Sequence, residues 1–465
     1  MRPAASAVLL LLLSAAAARA GESDALEVRT DTLHVVFALP GGDPTSWQGC
    51  YPSCADARTS ETFVARPGEP LLRLVARGDA ELSQRLAALA YRAERRDDAK
   101  ALVLELASEP LAEGVALHKQ WRWPRRGYEA ELVVSLEGEN AEAFARAHKL
   151  DLALAADGDL DAASAGVWHG VRGRFWALVA SNRPGAAPEI GFGYRVYSGP
   201  IERSLLRAAD PPLKALLFAH LWFWMRWLAL GLTLLLSALR SVVGNAGIAI
   251  ILLAPCVKVL MRPLSALAER WQRDVNETRT RLQPEIEAIR ASARGAERSR
   301  RLLELHREHG VTPFYGLRSL LSVAIQVPVF FAAYHALDEC FALAGVPFLW
   351  IADLTQPDAF ATLPHALPYF GGTLNLLPFV MTATTLLSSR QHDDGTLTPE
   401  LLRRQRLGLY ALALAFFLLF YPFPAGMVLY WTSNNLVALA WGAVARRLPR
   451  QSGRTGRLAS GTIRR

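Results

Sequence analysis

Residues 21–205 are dominated by short runs in which hydrophobic and polar positions alternate, the pattern of strands that bury one face. The clearest runs are "LEVRTDTLHVVFAL", "ALVLELAS", "YEAELVVSLEG" and "RFWALVAS", separated by Gly, Pro and Asp turns. "ALHKQWRWPRRGYEAELVVSL" predicts two long strands around a Pro-Arg-Arg-Gly turn, and "DAELSQRLAALAYRAERRDDAK" predicts a short helix. We therefore predict a mostly antiparallel, sandwich-like all-β domain over residues 21–205.

Long apolar stretches replace this alternation after Pro211. Each is long enough, or nearly so, to cross a bilayer as a helix, which takes about 20 apolar residues. The stretches are 206–243, 244–265, 317–338, 366–388, 407–423 and 425–445. This half of the chain is therefore predicted to be an α-helical polytopic membrane protein.

Arginine is distributed unevenly among the segments between these stretches. It is abundant in 266–316, in 389–406 and in the tail 446–465, whereas 339–365 contains no Lys or Arg. Basic segments tend to stay on the cytoplasmic side of a membrane. We therefore predict that the three basic segments are cytoplasmic and that 339–365 is a periplasmic loop.

The first 20 residues contain one early arginine, an apolar run and a terminal Ala-Arg-Ala, which together are typical of a secretory signal peptide. An N-terminal anchor that is not cleaved is the alternative. Either one sends the β domain across a membrane.

The β domain and the basic segment 266–316 are thus predicted on opposite sides of the membrane, so an odd number of spans must separate them. We therefore assign 206–243 to an interfacial amphipathic helix, with its Trp side chains at headgroup depth, and 244–265 to the first of five spans. Within 266–316, Pro284 and Gly295 interrupt the helical pattern and predict a cytoplasmic helical hairpin. Its interleaved acids and arginines favour a solvated face over a nucleic-acid site.

Composition agrees with a division into aqueous and lipid-facing parts. The 465 residues are 51% hydrophobic and carry a formal net charge of +8, with a mean hydropathy of +0.16. This is too apolar for an ordinary soluble enzyme and too charged for a chain held wholly in lipid. Of the four cysteines, Cys50 and Cys54 lie in a Pro-containing turn of the exported part, where a local disulfide is plausible. No cysteine or histidine spacing indicates a metal site, and no cofactor is expected.

Polar residues inside the apolar stretches are the candidates for function. Lys258 and Arg262 lie one helical turn apart in "LAPCVKVLMRPLS", and a lysine at the centre of a span costs about 2.5–3.5 kcal/mol on insertion scales. Snorkelling towards the headgroups is the alternative explanation for both cations. Gln326 and the Asn434–Asn435 pair lie in two other spans, where amides often serve only to join helices. Together with Lys258 they can also converge on one hydrated pocket.

Six motifs, in this order, resemble the YidC family of membrane-protein insertases over roughly residues 205–447. They are "GNAGIAIILLAPCVKVLMRPLS", "LQPEIEAIR", "LLELHREHGVTP", "IQVPVFFAAYHAL", "PFLWIADLTQPD" and "FPAGMVLYWTSNNL". The upstream β domain is similar to the periplasmic domain of that family, though less closely.

The resemblance implies a chaperone that inserts newly made hydrophobic proteins into the bacterial inner membrane, alone or beside the Sec translocon. It implies a hydrophilic groove open to the cytoplasm and to lipid. The groove cation of the family falls on Lys258, its amide on Gln326 and its last-span asparagine on Asn435. We assign Asn434, Arg262 and Trp431 to the same groove. The basic tail and cytoplasmic loops are expected to approach the ribosome, without sequence-specific nucleic-acid binding.

Three features depart from the family pattern. The groove cation is usually arginine, and lysine is less delocalised. The N-terminus looks cleavable, whereas members from diderm bacteria usually retain it as an anchor. The β domain is also compact for such a member.

Two other classes of function were weighed. An intramembrane hydrolase would need a nucleophile and a base, and the sequence shows no G-x-S-x-G, no H-E-x-x-H and no paired membrane aspartates. We therefore expect a protein that is not an enzyme. A small-molecule or ion transporter that uses the intramembrane lysine is the alternative, although no internal repeat is visible.

Overall fold

The computed structural model of the chain describes residues 25–66, 69–158, 160–182, 190–309, 320–390 and 399–447. These residues form two compact units. The β unit comprises the described residues up to Leu221 together with the short segment Glu339–Ala344, and the helical unit comprises the others. The chain therefore leaves the helical unit after Asp338, contributes six residues to the β unit, and returns at Gly345.

The β unit contains two large antiparallel sheets. One has the strand order β1-β2-β3-β4-β11 and the other β12-β13-β14-β15-β9-β8-β7-β6, while β5 and β10 form a separate pair. The strands are β1 Ala25–Arg29, β2 Leu33–Ala38, β3 Asp43–Tyr51, β4 Thr59–Ala65, β5 Leu72–Ala76, β6 Tyr91–Asp97, β7 Ala101–Ser108, β8 Ala116–Pro124, β9 Glu129–Glu137, β10 Leu150–Leu154, β11 Ala156–Asp157, β12 Asp161–Ala165, β13 Trp168–Arg172, β14 Trp176–Asn182 and β15 Gly191–Pro200. The predicted pair of long strands is β8 and β9.

The alternation of hydrophobic and polar residues along the strands shows which faces form the core of the β unit. Every second residue of β2, and of β8 up to Trp123, is buried, so each strand turns one face inward. Rings from the two sheets meet there: Trp47 of the first sheet lies 5.7 Å from Trp121 of the second, measured between ring centroids. Trp121 and Trp123 are themselves stacked at 5.5 Å. The two sheets thus pack face to face, and the sandwich-like prediction agrees with the structure.

A charged pair interrupts this apolar core. Lys119 occupies an inward position of β8, and its ammonium donates to the Asp43 carboxylate and to the carbonyl of Gly41. Both side chains are nearly inaccessible to solvent. The Tyr91 ring lies 4.9 Å from the ammonium and covers it. A buried lysine is tolerable here because it has both an anionic and a carbonyl partner.

Three short helices complete the β unit: α1 Ala80–Ala88, α2 Ala141–Ala147 and α3 Arg203–Ala209. Asp79 begins α1 by accepting a hydrogen bond from the backbone N–H of Leu82, as helix-capping side chains do. The helix predicted over residues 79–100 is therefore present only in its first part. Its second part is β6, an edge strand whose charged, exposed side chains discourage pairing with another chain.

The helical unit contains seven helices in its described part. They are α4 Phe223–Val243, α5 Ala246–Ser292, α6 Gly295–Glu308, α7 Leu320–Asp338, α8 Leu377–Arg390, α9 Pro399–Phe420 and α10 Ala425–Arg447, and a hairpin of β16 Ala361–Leu367 with β17 Gly371–Leu374 precedes α8. Among the described residues, two helices are long and apolar enough to cross a membrane: α4, and α5 over Ala246–Leu267. Leu377–Ser388 and Leu407–Phe420 are shorter apolar helices.

Several predicted boundaries differ from the structure. The predicted interfacial helix 206–243 begins only at Phe223, because Pro211 starts a separate 3₁₀ turn that ends at Leu216. Residues 366–376, almost half of the predicted span 366–388, belong to the β16–β17 hairpin and its connection to α8. Because α4 is itself long enough to span, its interfacial position and the count of five spans remain predictions.

The predicted helical hairpin is present as the C-terminal part of α5 and α6. Pro284 does not end α5 as we expected, and the helix continues to Ser292. Leu282 and Ile286 of α5 are buried against Leu305 of α6, so the two helices run antiparallel around a small apolar core. The helix ends where Ala293 is extended and Gly295 adopts a positive φ of 59°.

Candidate functional site

The candidate site is built on α5 and α10, which pack against each other, and α8 also packs against α10. Asn245 begins α5 by accepting a hydrogen bond from the backbone N–H of Ile248. Pro255 and Pro263 lie within α5 on either side of Lys258. Each proline removes one backbone donor, so the carbonyls of Ile251 and Val259, four residues earlier, lack their usual helix partner.

Lys258 reaches across from α5 to α10. Its ammonium donates a hydrogen bond of 2.7 Å to the backbone carbonyl of Asn434, and the lysine side chain is exposed at the surface of the unit. A helix carbonyl has a second lone pair and can accept this bond without losing its own helix partner. Among the described residues, no carboxylate lies within ion-pair distance of Lys258. The side chain is therefore held by a carbonyl dipole and not by an ion pair with any of these residues.

The amide of Asn435 has a different partner. Its Nδ2 donates 2.6 Å to the hydroxyl of Thr385 on α8. The Lys258 ammonium thus meets the carbonyl of Asn434, whereas the Asn435 side chain ties α10 to α8. Sequence reasoning did not single out Thr385, because threonines in a helix commonly bond their own backbone, and Thr385 also donates to the carbonyl of Met381.

Arg262 lies one turn further along α5. Its guanidinium carbon is 4.9 Å from the centre of the Trp441 ring on α10. This is a cation–π contact, which favours a cation in surroundings that offer little water. Lys258 and Arg262 therefore both contact α10, one through a carbonyl and one through an aromatic face.

Trp431 lies on α10, about one turn before Asn435, and belongs to an aromatic cluster. Its ring centroid lies 5.4 Å from that of Phe330, 5.8 Å from Phe416 and 5.6 Å from Phe420. These rings join α7, α9 and α10. The structure thus assigns Trp431 a packing role between three helices.

Gln326 lies in α7, but its side chain is outside the described residues. Its place in the groove remains a prediction. The basic tail 448–465 and the segment 391–398 also lie outside the described residues.

The loop between α7 and α8 contains a polar network that sequence reasoning missed. The buried carboxylate of Asp358 accepts from the backbone N–H groups of Leu376 and Leu377, at 2.8 and 3.0 Å, and from the Trp350 indole at 3.1 Å. It therefore fixes the start of α8. The motif "PFLWIADLTQPD" contains the aspartate, but its partners become visible only when the chain has folded.

Asn375 and Tyr421 continue this network to the end of α9. The Asn375 amide donates 2.8 Å to the carbonyl of Tyr421, and the Tyr421 hydroxyl donates to the carbonyl of Thr373. The backbone N–H of Gly426, at the start of α10, bonds the carbonyl of Leu354 at 2.8 Å. The loop is thereby joined to the ends of α8, α9 and α10.

Cys50 and Cys54 are joined by a disulfide in the β unit. The bond closes the turn after β3, next to Tyr51. The Tyr128 hydroxyl donates 3.0 Å to the Cys50 carbonyl and links this turn to the second sheet.

The arrangement around Lys258 is suited to binding a polar group. An exposed ammonium with one carbonyl partner retains two N–H donors for a polar or acidic group. The nearby Asn434 and Asn435 offer further hydrogen-bonding atoms. The site can therefore hold a polar segment reversibly at the side of an apolar helix.

The chain is similar to several known proteins. The chain resembles a solved structure described as an active YidC insertase crystal structure with the first transmembrane domain resolved, with a TM-score of 0.39 and 20% identity over 90% of this chain and 92% of that one. It is 30% identical over 260 residues to a membrane protein insertase YidC from Ralstonia nicotianae, and 34% identical over 288 residues to one from Anaeromyxobacter sp..

These two matches cover 55% and 58% of this chain but only 41% and 46% of the relatives, so the chain spans less than half of the length of either. The family model described as 60Kd inner membrane protein matches residues 238–451, which contain Lys258, Thr385 and Asn435. Over this region the chain is similar to the YidC family of membrane-protein insertases.

Proposed function

We propose that this protein inserts newly synthesised hydrophobic proteins into the bacterial inner membrane and helps them fold. The observation that carries the proposal is the 2.7 Å bond from the Lys258 ammonium to the Asn434 carbonyl, between two helices of the family-matching region. The names of the relatives, membrane protein insertase YidC, support the same function.

The physical basis is the high cost of placing a polar loop in hydrocarbon. A charged side chain at the bilayer centre costs about 2.5–3.5 kcal/mol or more, which slows the passage of any polar client segment. Lys258, the exposed cation beside the Asn434–Asn435 pair, offers such a segment hydrogen bonds and an opposite charge. The apolar part of the client can meanwhile enter lipid, which gains about 0.8 kcal/mol per buried CH₂ group.

We further propose that the site opens as a hydrophilic groove towards the cytoplasm and lipid, and that Gln326 lines it. The β unit would lie in the periplasm, and the basic hairpin and tail would lie in the cytoplasm near the anionic ribosome surface. The Sec translocon would be a partner for clients with large external domains. Each of these proposals follows from the charge pattern or from the family.

Substitution of Lys258 tests the proposal. In reconstituted vesicles, Lys258→Ala should lower the insertion of a client with an acidic external tail by about tenfold or more, since bonds to charged groups contribute about 1.5–3 kcal/mol. A client with a purely apolar hairpin should be affected less. Lys258→Arg should retain insertion because it keeps the charge and the donors.

Lys100→Ala, at an exposed position of the β unit, is the matched control for loss of one lysine. Equal insertion of both clients by Lys258→Ala and by the native protein would contradict the proposal. If the same vesicles showed Lys258-dependent flux of a small solute in the absence of a client, the transporter alternative would replace it.

A further inference from the structure

The tip of the β16–β17 hairpin, residues 366–369, presents an apolar surface without charges. Its sequence is Ala-Leu-Pro-Tyr, and all four residues are exposed, Leu367 by 51% and Tyr369 by 60%. No Asp, Glu, Lys or Arg occurs between Asp358 and Arg390. The edge strand β6 differs in this respect, because most of its exposed side chains are charged. An exposed apolar patch indicates a place that contacts another protein or a membrane.

The tip is attached to the C-terminal end of α9. The Tyr369 hydroxyl donates to the backbone carbonyl of Leu418. The Phe370 ring meets the Tyr421 ring edge-on at 4.7 Å and lies 6.4 Å from the Phe417 ring, both distances measured between centroids. Tyr369 has a φ of 71°, which residues other than glycine seldom adopt, and these contacts hold the turn in that conformation. The tip therefore stays next to the end of this helix.

The surface of α9 is also apolar. No Asp, Glu, Lys or Arg occurs between Arg406 and Arg446. Leucine side chains along this part of the helix are 46% to 70% exposed, at Leu407, Leu412, Leu414 and Leu419. A helix that is apolar all round lies either in a protein core or in a membrane, and the exposure of these leucines favours the membrane.

The apolar runs of α8 and α9 are shorter than a bilayer is thick. They are Leu377–Ser388 and Leu407–Phe420, which makes them roughly 18 and 21 Å long. The hydrocarbon core of a bilayer is about 30 Å thick. Arg390 follows the first run and Arg406 precedes the second, so charges limit both helices at the same end. Additional apolar length is therefore available only at the opposite end, where the hairpin lies.

We propose that the tip of the β16–β17 hairpin lies in the headgroup layer of the bilayer, at the end where α8 begins and α9 ends, with Leu367 and Tyr369 in contact with lipid. The headgroup layer suits a two-stranded hairpin, because its unpaired backbone groups can bond water there but not in hydrocarbon. Tyrosine is common at this depth, since its ring is apolar and its hydroxyl is polar. The proposal goes beyond the insertase function and rests on the placement of α8 and α9 in the membrane.

A nitroxide spin label on the tip tests the proposal. The full chain is reconstituted into vesicles of phosphatidylethanolamine and phosphatidylglycerol, with Cys256 and Cys340 replaced by alanine and the Cys50–Cys54 disulfide intact. The label is attached at Leu367→Cys. Power saturation then compares its collisions with oxygen, which concentrates in lipid, and with a neutral, polar nickel chelate, which stays in water.

Two further label positions calibrate the measurement. Lys100→Cys lies at an exposed position of the β unit and reports water, and Leu414→Cys lies on the exposed surface of α9 and reports lipid. The ratio of oxygen to nickel collisions at Leu367→Cys should be at least about fivefold higher than at Lys100→Cys, because apolar solutes partition into lipid and polar ones do not. It should remain below the ratio at Leu414→Cys.

A charge within the tip should move it towards water. Ala366→Glu, combined with the label at Leu367→Cys, should lower the ratio of oxygen to nickel collisions by about threefold or more, because a carboxylate is costly to place among apolar groups. Ala366→Leu is the matched control at the same position and should keep the ratio or raise it.

Three results would overturn the proposal. A ratio at Leu367→Cys equal to that at Lys100→Cys, with Leu414→Cys still in lipid, would place the tip in water and leave the insertase function untouched. Few collisions with either reagent would mean that protein covers the tip, either another part of the chain or a second copy. A ratio typical of water at Leu414→Cys would remove α9 from the membrane, and the insertase function would fail with it.

Discussion

A lysine ammonium that bonds one backbone carbonyl has two further protons to donate, and this is the state of Lys258 in the described structure. Its position was predictable, because a charge inside an apolar run stands out in the sequence. The same holds for Asn434 and Asn435. Thr385 was not predictable, since threonine is common in helices and only the folded chain shows that it accepts from Asn435. The candidate site could therefore be located from Lys258, Asn434 and Asn435 in the sequence, whereas the partners of these residues depend on how the helices pack.

Glu61 provides a residue-scale prediction for the β unit. It lies half-buried on β4, and burial raises the pKa of its carboxyl because desolvation disfavours the charge. Because the pKa of Glu61 is higher in the folded chain than in the unfolded one, protonation of this carboxyl favours the folded state. The contribution is complete only below the pKa of the unfolded chain, near 4.3, and is lost as pH rises through the pKa of the folded chain. Glu61→Gln should therefore raise the Tm of the β unit slightly at pH 7.5, by about 1–2 °C, and leave it unchanged near pH 4.

The Tm is followed by near-UV circular dichroism of the full chain in nanodiscs, with Glu139→Gln as the exposed control. A lower Tm for Glu61→Gln at pH 7.5, or a gain of equal size at pH 4, would show that burial does not penalise this carboxylate.

At the scale of elements, strands were easier to predict than helix ends. The alternation along β2, β8 and β9 reports the buried face directly, because successive strand residues point to opposite sides. Helix boundaries in the membrane-like half depend on contacts that are distant in sequence. The start of α8 is set by Asp358, some 19 residues earlier, and this explains why the apolar run 366–388 gave the wrong start.

Asp358→Ala should destabilise the helical unit by about 1–3 kcal/mol, because two backbone donors and the Trp350 indole lose a buried charged acceptor. The measurement is unfolding of the full chain in mixed micelles by increasing SDS. Asp358→Asn keeps one acceptor oxygen and should lose clearly less stability. Equal stability of Asp358→Ala and the native chain would mean that the carboxylate does not fix α8.

At the scale of the whole molecule, the division into a β unit and a helical unit was predictable from the change of pattern near Pro211. The return of Glu339–Ala344 to the β unit was not, because a six-residue segment carries no periodic signal. The number of spans also depends on more than length. Both α4 and α5 are long and apolar enough to cross, and only the arginine distribution favours an interfacial α4.

Cysteine labelling in intact cells tests this topology. With the native Cys256 and Cys340 replaced, a membrane-impermeant maleimide should reach Val167→Cys in the β unit and Phe360→Cys in the loop before α8. It should reach Arg300→Cys in the α5–α6 hairpin only after the inner membrane is permeabilised. If α4 and α5 both cross, Val167→Cys and Arg300→Cys will be labelled from the same side.

The central claim is that a client chain passes the Lys258 site, and photo-crosslinking tests it most directly. A photoreactive residue is placed at Val259, next to the retained Lys258, or at position 326 or 435, and at the exposed Leu412 of α9 as a control. A ribosome-stalled nascent membrane protein should crosslink at the three site positions and much less at 412. A client that crosslinks at none of the three, in a preparation that still inserts it, would contradict the account.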